Sequence, residues 1–197
     1  MTVHQVAKFS INLKACHGTA VKIIGKRLLG TSDEGLEHEP NLDKVLEEFV
    51  DAGFDGGFNA TKAEYPALAC SRTGFVIKCA GCPIIWKSKL QTEIALSTAE
   101  AEHAALSTAL RETMIITHFL KEIGAMMDVP SCDKIIKCTM FEDNNGAVEL
   151  AKAPKMRPHA KHIAIKYHHF RPCVQKGEII IERLMQQNKK LILSQSY

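Results

Sequence analysis

Three acids of this 197-residue chain stand where carboxylates can do chemistry. Asp51 closes the apolar run Phe49-Val50, the strand-like Lys134–Phe141 stretch closes on Glu142-Asp143, and Glu102 lies early in residues 97–123, which hold no Gly or Pro. Acids gathered at the ends of neighbouring strands and on a facing helix repel one another, and burial raises the penalty, unless a cation is bound among them. Mg²⁺, or Mn²⁺ in its place, suits such a set, because it takes oxygen ligands and completes its shell with water and substrate phosphates. A pair of such ions activates a water and stabilises the leaving oxygen of a phosphodiester. Asp51, Glu102 and Asp143 are therefore the candidate catalytic and metal-binding residues, and metal-dependent phosphodiester hydrolysis is the candidate reaction. Taken singly, each has a plainer reading: an Asp after a strand is a common turn former, and a Glu near a helix start favours the helix dipole.

Glu100 competes with Glu102 for the helical position. Steps of four and three from Glu102 reach Leu106, Ala109 and Leu110, whereas steps from Glu100 reach Ala104, Ser107, Thr108 and Arg111. Glu102 thus shares the apolar stripe that must pack on a sheet, and Glu100 lies on a more polar side.

The elements that must position these acids follow from the local patterns. Residues 4–29 alternate apolar and basic positions at helical spacing and Gly30 then stops the pattern, so one helix is expected there. Thr31 to Asn41, rich in Gly, Pro and acids, reads as a linker. Phe49 to Ala52 is a short strand, and Gly74–Cys79 with Pro83–Trp86 form a hairpin around Ala80-Gly81. A long helix over 97–123 is capped by Ser97 or Thr98 and ended by Gly124. Lys134–Phe141 is a strand, Asn144–Ala153 a short helix, Lys161–Gln175 another, and Glu178–Glu182 a last strand.

Charge is segregated along this order. Residues 1–31 carry Lys8, Lys14, Lys22, Lys26 and Arg27 without an acid, residues 33–55 hold nine acids against Lys44, and residues 152–176 are basic again. Within the last block Lys155, Arg157, Lys161, His162, Lys166 and Arg171 are the candidate nucleic-acid-binding residues, since basic blocks around an acidic one suit a polyanion. Seven scattered cysteines, an odd number, do not form a disulfide framework, and Cys79-Ala-Gly-Cys82 lacks a second pair to complete a zinc site, which favours a hairpin pair. No window approaches the length of a membrane span and no export signal opens the chain, so a cytoplasmic or nuclear setting without membrane contact is expected.

These motifs together resemble the ribonuclease H region of copia-type retrotransposon polyproteins. The resemblance is carried by Phe49-Val50-Asp51-Ala52, Ser71-Arg72-Thr73-Gly74-Phe75, Pro83 through Gln91 with its Trp86-Lys87-Ser88-Lys89, Ala95 through Leu106, Phe141-Glu142-Asp143-Asn144, Lys161-His162-Ile163 and Tyr167 through Arg171. His4 through Ser10, and Gly30 to Leu36, are similar to the tail of the preceding reverse transcriptase. The resemblance implies an α/β, ribonuclease H-like fold, a five-stranded mixed sheet flanked by helices, with a helical N-terminal appendage. It divides the chain into a reverse transcriptase remnant (1–36), a linker (37–45), the ribonuclease H-like domain (46–183) and an aberrant tail (184–197). The implied activity is hydrolysis of the RNA strand of RNA–DNA hybrids during reverse transcription, in a virus-like particle or the nucleus, with the upstream reverse transcriptase as a partner.

The family holds its metals with four acids, and Asp51, Glu102 and Asp143 match three. Its fourth lies in an Ala-Asp-Ile-x-Thr-Lys motif after the last strand, but no Asp follows Asp143 in this chain. Codons chosen for Leu184 through Ser196 can spell Asp-Ala-Thr-Lys-Gln-Lys-Ala-Asp-Ile-Ile-Thr-Lys one frame over, so a frame slip near residue 183 accounts for the tail. Weak or absent activity is the expectation, and a catalytically dead nucleic-acid-binding module or a remnant of a decayed element is the alternative.

Overall fold

Burial alternates residue by residue along Leu46–Gly53, with Leu46, Glu48, Val50 and Ala52 turned inward, so this strand (β1) has one face on a core. It is the central strand of a five-stranded sheet in the computed structural model, which describes residues 2–7, 10, 13–35, 38–54, 70–130, 136–152 and 171–184. Two units divide the chain, Met1–His38 and Glu39–Tyr197.

The first unit contains α1 (Thr2–Ala7) and α2 (Ala15–Gly30), not the single helix expected over 4–29. The backbone of Lys14 is extended, with φ −111° and ψ 162°, and its N–H donates to His17 Nδ1 at 3.1 Å, which starts a new helix there. Gly30 is the last residue of α2, and the cap is Thr31, whose N–H donates to the Arg27 carbonyl at 3.0 Å.

In the second unit β2 (Arg72–Cys79) and β3 (Cys82–Leu90) extend the sheet from β1 as an antiparallel meander. Ala80 and Gly81 join them with φ of 49° and 78°, the doubly left-handed turn that matches strand twist. Cys79 and Cys82 face each other across this turn as a half-buried pair, and the six described cysteines are free. The helix α3 (Thr98–Met126) follows, then β4 (Cys138–Glu142), α4 (Asn145–Lys152), α5 (Arg171–Gln175) and β5 (Ile179–Arg183). β4 pairs parallel with β1, β5 parallel with β4, and the order is β3-β2-β1-β4-β5. This is the five-stranded mixed sheet flanked by helices that the resemblance implied.

The helix α3 packs on β1 and β2 through Ala101, Ala105, Leu106, Ala109 and Leu110, none of which retains exposed surface. The alanines bring the helix close to the sheet, while each buried leucine contributes about 1.5–3 kcal/mol by leaving water. Met140, Ile179 and Ile181 extend the same core under Val148 and Ala151 of α4. Gly124 does not end α3. The helix runs two residues further, to Met126, and closes where Val129 N–H reaches the Gly124 carbonyl at 2.9 Å and Asp128 adopts φ 54°. On the opposite face of the sheet the rings of Phe49 and Phe141 stack at 4.9 Å, across the parallel β1–β4 pair.

Candidate metal centre

β1 and β4 are adjacent and parallel, so their C-terminal ends leave the sheet side by side. Asp51 lies two residues from the end of β1, and Asp143 is the first residue after β4. The start of α3 is packed against this edge and supplies Glu102 from its second turn. One carboxylate oxygen from each of Asp51, Glu102 and Asp143 lies within 4.8 Å of the others. Asp51 is exposed, Asp143 half-buried and Glu102 buried, so the cluster has an open side and a closed one.

Several local contacts hold Glu102 in place. Ser97 Oγ accepts the Glu100 N–H at 3.2 Å, and the Glu100 carboxylate accepts the Leu96 N–H at 2.8 Å. Glu100 is thereby a helix-starting residue, which separates it from the cluster as the stripe argument required. Gln91, just after β3, donates through Nε2 to the Ala101 carbonyl at 2.8 Å and to Thr73 Oγ1 at 3.1 Å, tying the turn beside Glu102 to β2. On the other side Asn144 Oδ1 accepts the Ala147 N–H at 3.2 Å and starts α4 next to Asp143. Gly146 permits this close approach: a Cβ there would meet Asn144 Oδ1 at 3.2 Å and the Ala99 Cβ at 3.7 Å.

The electrostatics are those of crowded, partly desolvated acids. Burial pushes the Glu102 carboxyl up to about 9, with repulsion from Glu142, Asp51 and Asp143 adding to it and the Ala52 N–H opposing. Glu142 had no role in the expected site, yet it is fully buried and its carboxyl is pushed up to about 8, chiefly by burial and further by Asp143 and Asp51. The alternation Cys138, Met140, Glu142 on the buried face of β4 was the available signal for it. One oxygen of Glu102 and one of Glu142 are buried without a hydrogen-bond partner. Oxygen donors alone, mutual repulsion and buried oxygens lacking donors all fit a divalent cation at Asp51, Glu102 and Asp143.

Lys155, Arg157, Lys161, His162 and Lys166 lie outside the described residues, and of Arg171, which opens α5, only the backbone is described. The 185–197 tail also lies outside them.

No family model matches the chain. It is 31% identical over 179 residues, 91% of its length, to the retrovirus-related Pol polyprotein from transposon TNT 1-94 of Nicotiana tabacum. It is 31% identical over 163 residues, 83% of its length, to the corresponding polyprotein from transposon RE1 of Arabidopsis thaliana. The chain spans only 12% and 10% of the lengths of these two relatives. Among solved structures it is similar to LC11-RNase H1 isolated from compost, with 13% identity and a TM-score of 0.48 over 77% of this chain and 92% of that one.

Proposed function

We propose that this chain, whose homologues are retrovirus-related Pol polyproteins from plant transposons, is a ribonuclease H-type endonuclease domain that hydrolyses the RNA strand of RNA–DNA hybrids during reverse transcription. The observation that carries this reading is the convergence of Asp51, Glu102 and Asp143 within 4.8 Å at the ends of two parallel strands. Together they would hold Mg²⁺ or Mn²⁺. Such an ion supplies positive charge at the scissile phosphate and lowers the pKa of a water it binds.

The residues divide the remaining work. Asp51, the exposed member of the three, would hold the ion at the open side, where substrate reaches it. Glu102 is fixed in orientation by the Ala52 N–H and by the Gln91 tie to Ala101, so its carboxylate is placed before substrate arrives. Lys155, Arg157, Lys161, His162, Lys166 and Arg171 would bind backbone phosphates, and the 2′-OH would mark the strand to be cut. The upstream reverse transcriptase of the same polyprotein would be the partner, in a cytoplasmic virus-like particle or the nucleus. No helix among the described residues is long and apolar enough to cross a membrane.

The lack of any Asp after Asp143 favours weakened activity, or a second reading in which the domain binds nucleic acid without cutting it or is the remnant of a decayed element. The 184–197 tail would then come from a frame slip near residue 183, and coding DNA unable to spell Ala-Asp-Ile in the shifted frame would exclude that origin. Cleavage of a labelled RNA–DNA hybrid in Mg²⁺ or Mn²⁺ tests the main reading. The wild-type chain should cut, slowly, and Asp51→Asn should not. Equal cleavage by both refutes the assigned site, and salt-sensitive hybrid binding without cleavage supports the second reading.

A further inference from the structure

Glu142 is the last residue of β4 and is fully buried on the face that carries Cys138 and Met140. Its Oε1 accepts the Asn144 N–H at 3.1 Å, and its Oε2 is buried without any partner. Oε2 of Glu102 is in the same condition, and Glu142 is the acid that repels Glu102 most strongly. Neither acid forms an ion pair with a described Lys or Arg. Burial of a carboxylate oxygen without a donor is unfavourable, because the hydrogen bonds it made to water are not replaced. Two such oxygens on mutually repelling residues therefore call for a shared positive group; Glu102 belongs to the cluster of Asp51, Glu102 and Asp143, and Glu142 directly precedes Asp143 in the chain.

We infer that Glu142 is a further carboxylate of this divalent-cation centre, presenting with Glu102 the two inner oxygens that a cation would satisfy. The inference rests on the proposed metal centre. It adds Glu142 as a fourth acid beside the three whose oxygens lie within 4.8 Å of one another. Glu142 is buried at the end of β4, so it would approach the ion from the closed side of the site. An amide at this position keeps an acceptor for the Asn144 N–H and removes the ionisable group.

Calorimetric titration of the full chain with Mn²⁺ at neutral pH is the test, comparing wild type with Glu142→Gln, Asp51→Asn and Glu100→Gln, each first checked for folding by circular dichroism. Glu142→Gln should weaken Mn²⁺ binding by about tenfold or more, the scale of losing a supporting carboxylate at a metal site. Asp51→Asn should weaken it as well. Glu100→Gln, which removes an equally local negative charge held by the Leu96 N–H, should change it less than about twofold. Unchanged binding by Glu142→Gln alongside a loss in Asp51→Asn would overturn the role of Glu142 and leave the three-acid centre standing. Equal weakening by Glu100→Gln would reduce Glu142 to a general charge effect and overturn it too. A Glu142→Gln chain that fails to fold would assign the residue to structure and likewise overturn its role at the metal. A wild-type chain that binds no Mn²⁺ would remove the metal centre itself.

Discussion

Glu48 lies in the middle of β1, fully buried under α3, with the Thr113 hydroxyl donating to its Oε2 and no partner for its Oε1. Burial is the main cause that pushes its carboxyl up to about 8 from the ordinary 4.5; the Thr113 hydroxyl opposes it and Glu112 adds to it. Between those two values the unfolded chain has released the proton and the native chain retains it. Native stability is therefore fully present below the unfolded value and is lost as pH rises through the folded one, at about 1.4 kcal/mol per pH unit and roughly 5 kcal/mol at most. Glu48→Gln replaces the neutral acid with a neutral amide of the same shape, keeping an acceptor for Thr113. Its stability relative to wild type should be near zero, within about 1 kcal/mol, at pH 5, and several kcal/mol in its favour at pH 8.5. Urea unfolding at pH 5, 7 and 8.5 measures this. Glu102 and Glu142, whose carboxyls are also raised, shift both proteins alike, so the difference between the two curves isolates Glu48. A difference that stays flat across the range would refute the assignment of a protonated core carboxyl.

Three further outcomes follow from the geometry. Millimolar Mg²⁺ or Mn²⁺ should raise the melting temperature of the wild-type chain, since an ion bound only by the native state stabilises it by about 2.7 kcal/mol at a hundredfold excess over its Kd, and Glu102→Gln should abolish the shift in thermal melts. Gly81→Val puts a β-branched residue at φ 78° in the β2–β3 turn and should lower stability by more than about 1 kcal/mol in chemical denaturation. Ser97→Ala removes the acceptor for the Glu100 N–H and should cost about 1 kcal/mol, read in the same assay.

The parts of the fold that were legible in the sequence are those set by local chemistry. Ala80-Gly81 between two β-branched runs specified the hairpin, and the register Cys79↔Cys82 follows from a two-residue turn. Ser97 and the i, i+4 stripe specified both the start of α3 and the choice of Glu102 over Glu100, because the same helical period that buries Leu106 and Leu110 buries Glu102. What was not legible depends on distant partners. The parallel pairing of β1 with β4 and β4 with β5, which brings Asp51 and Asp143 to one edge, leaves no mark in either strand alone and came only through the family resemblance. Gly124 is misleading as a stop because one glycine costs a helix only about 1 kcal/mol and here it is a buried residue of α3, and Asp128 takes the left-handed position after the helix instead. Periodicity alone predicts a single N-terminal helix across Lys14, because it is blind to a break that a His17 side chain can cap. Glu142 escapes notice because Asp143 stands beside it, although alternation along β4 places Glu142, and not Asp143, on the buried face with Met140.

That Asp51, Glu102 and Asp143 form a divalent-cation centre is tested most directly by a crystal structure of the chain grown with Mn²⁺, through the metal's anomalous scattering. A peak among these three carboxylates, within about 2.0–2.3 Å of at least two of them, is the expected result. An anomalous map with no peak at that cluster at millimolar Mn²⁺, or with the ion held elsewhere, would contradict it.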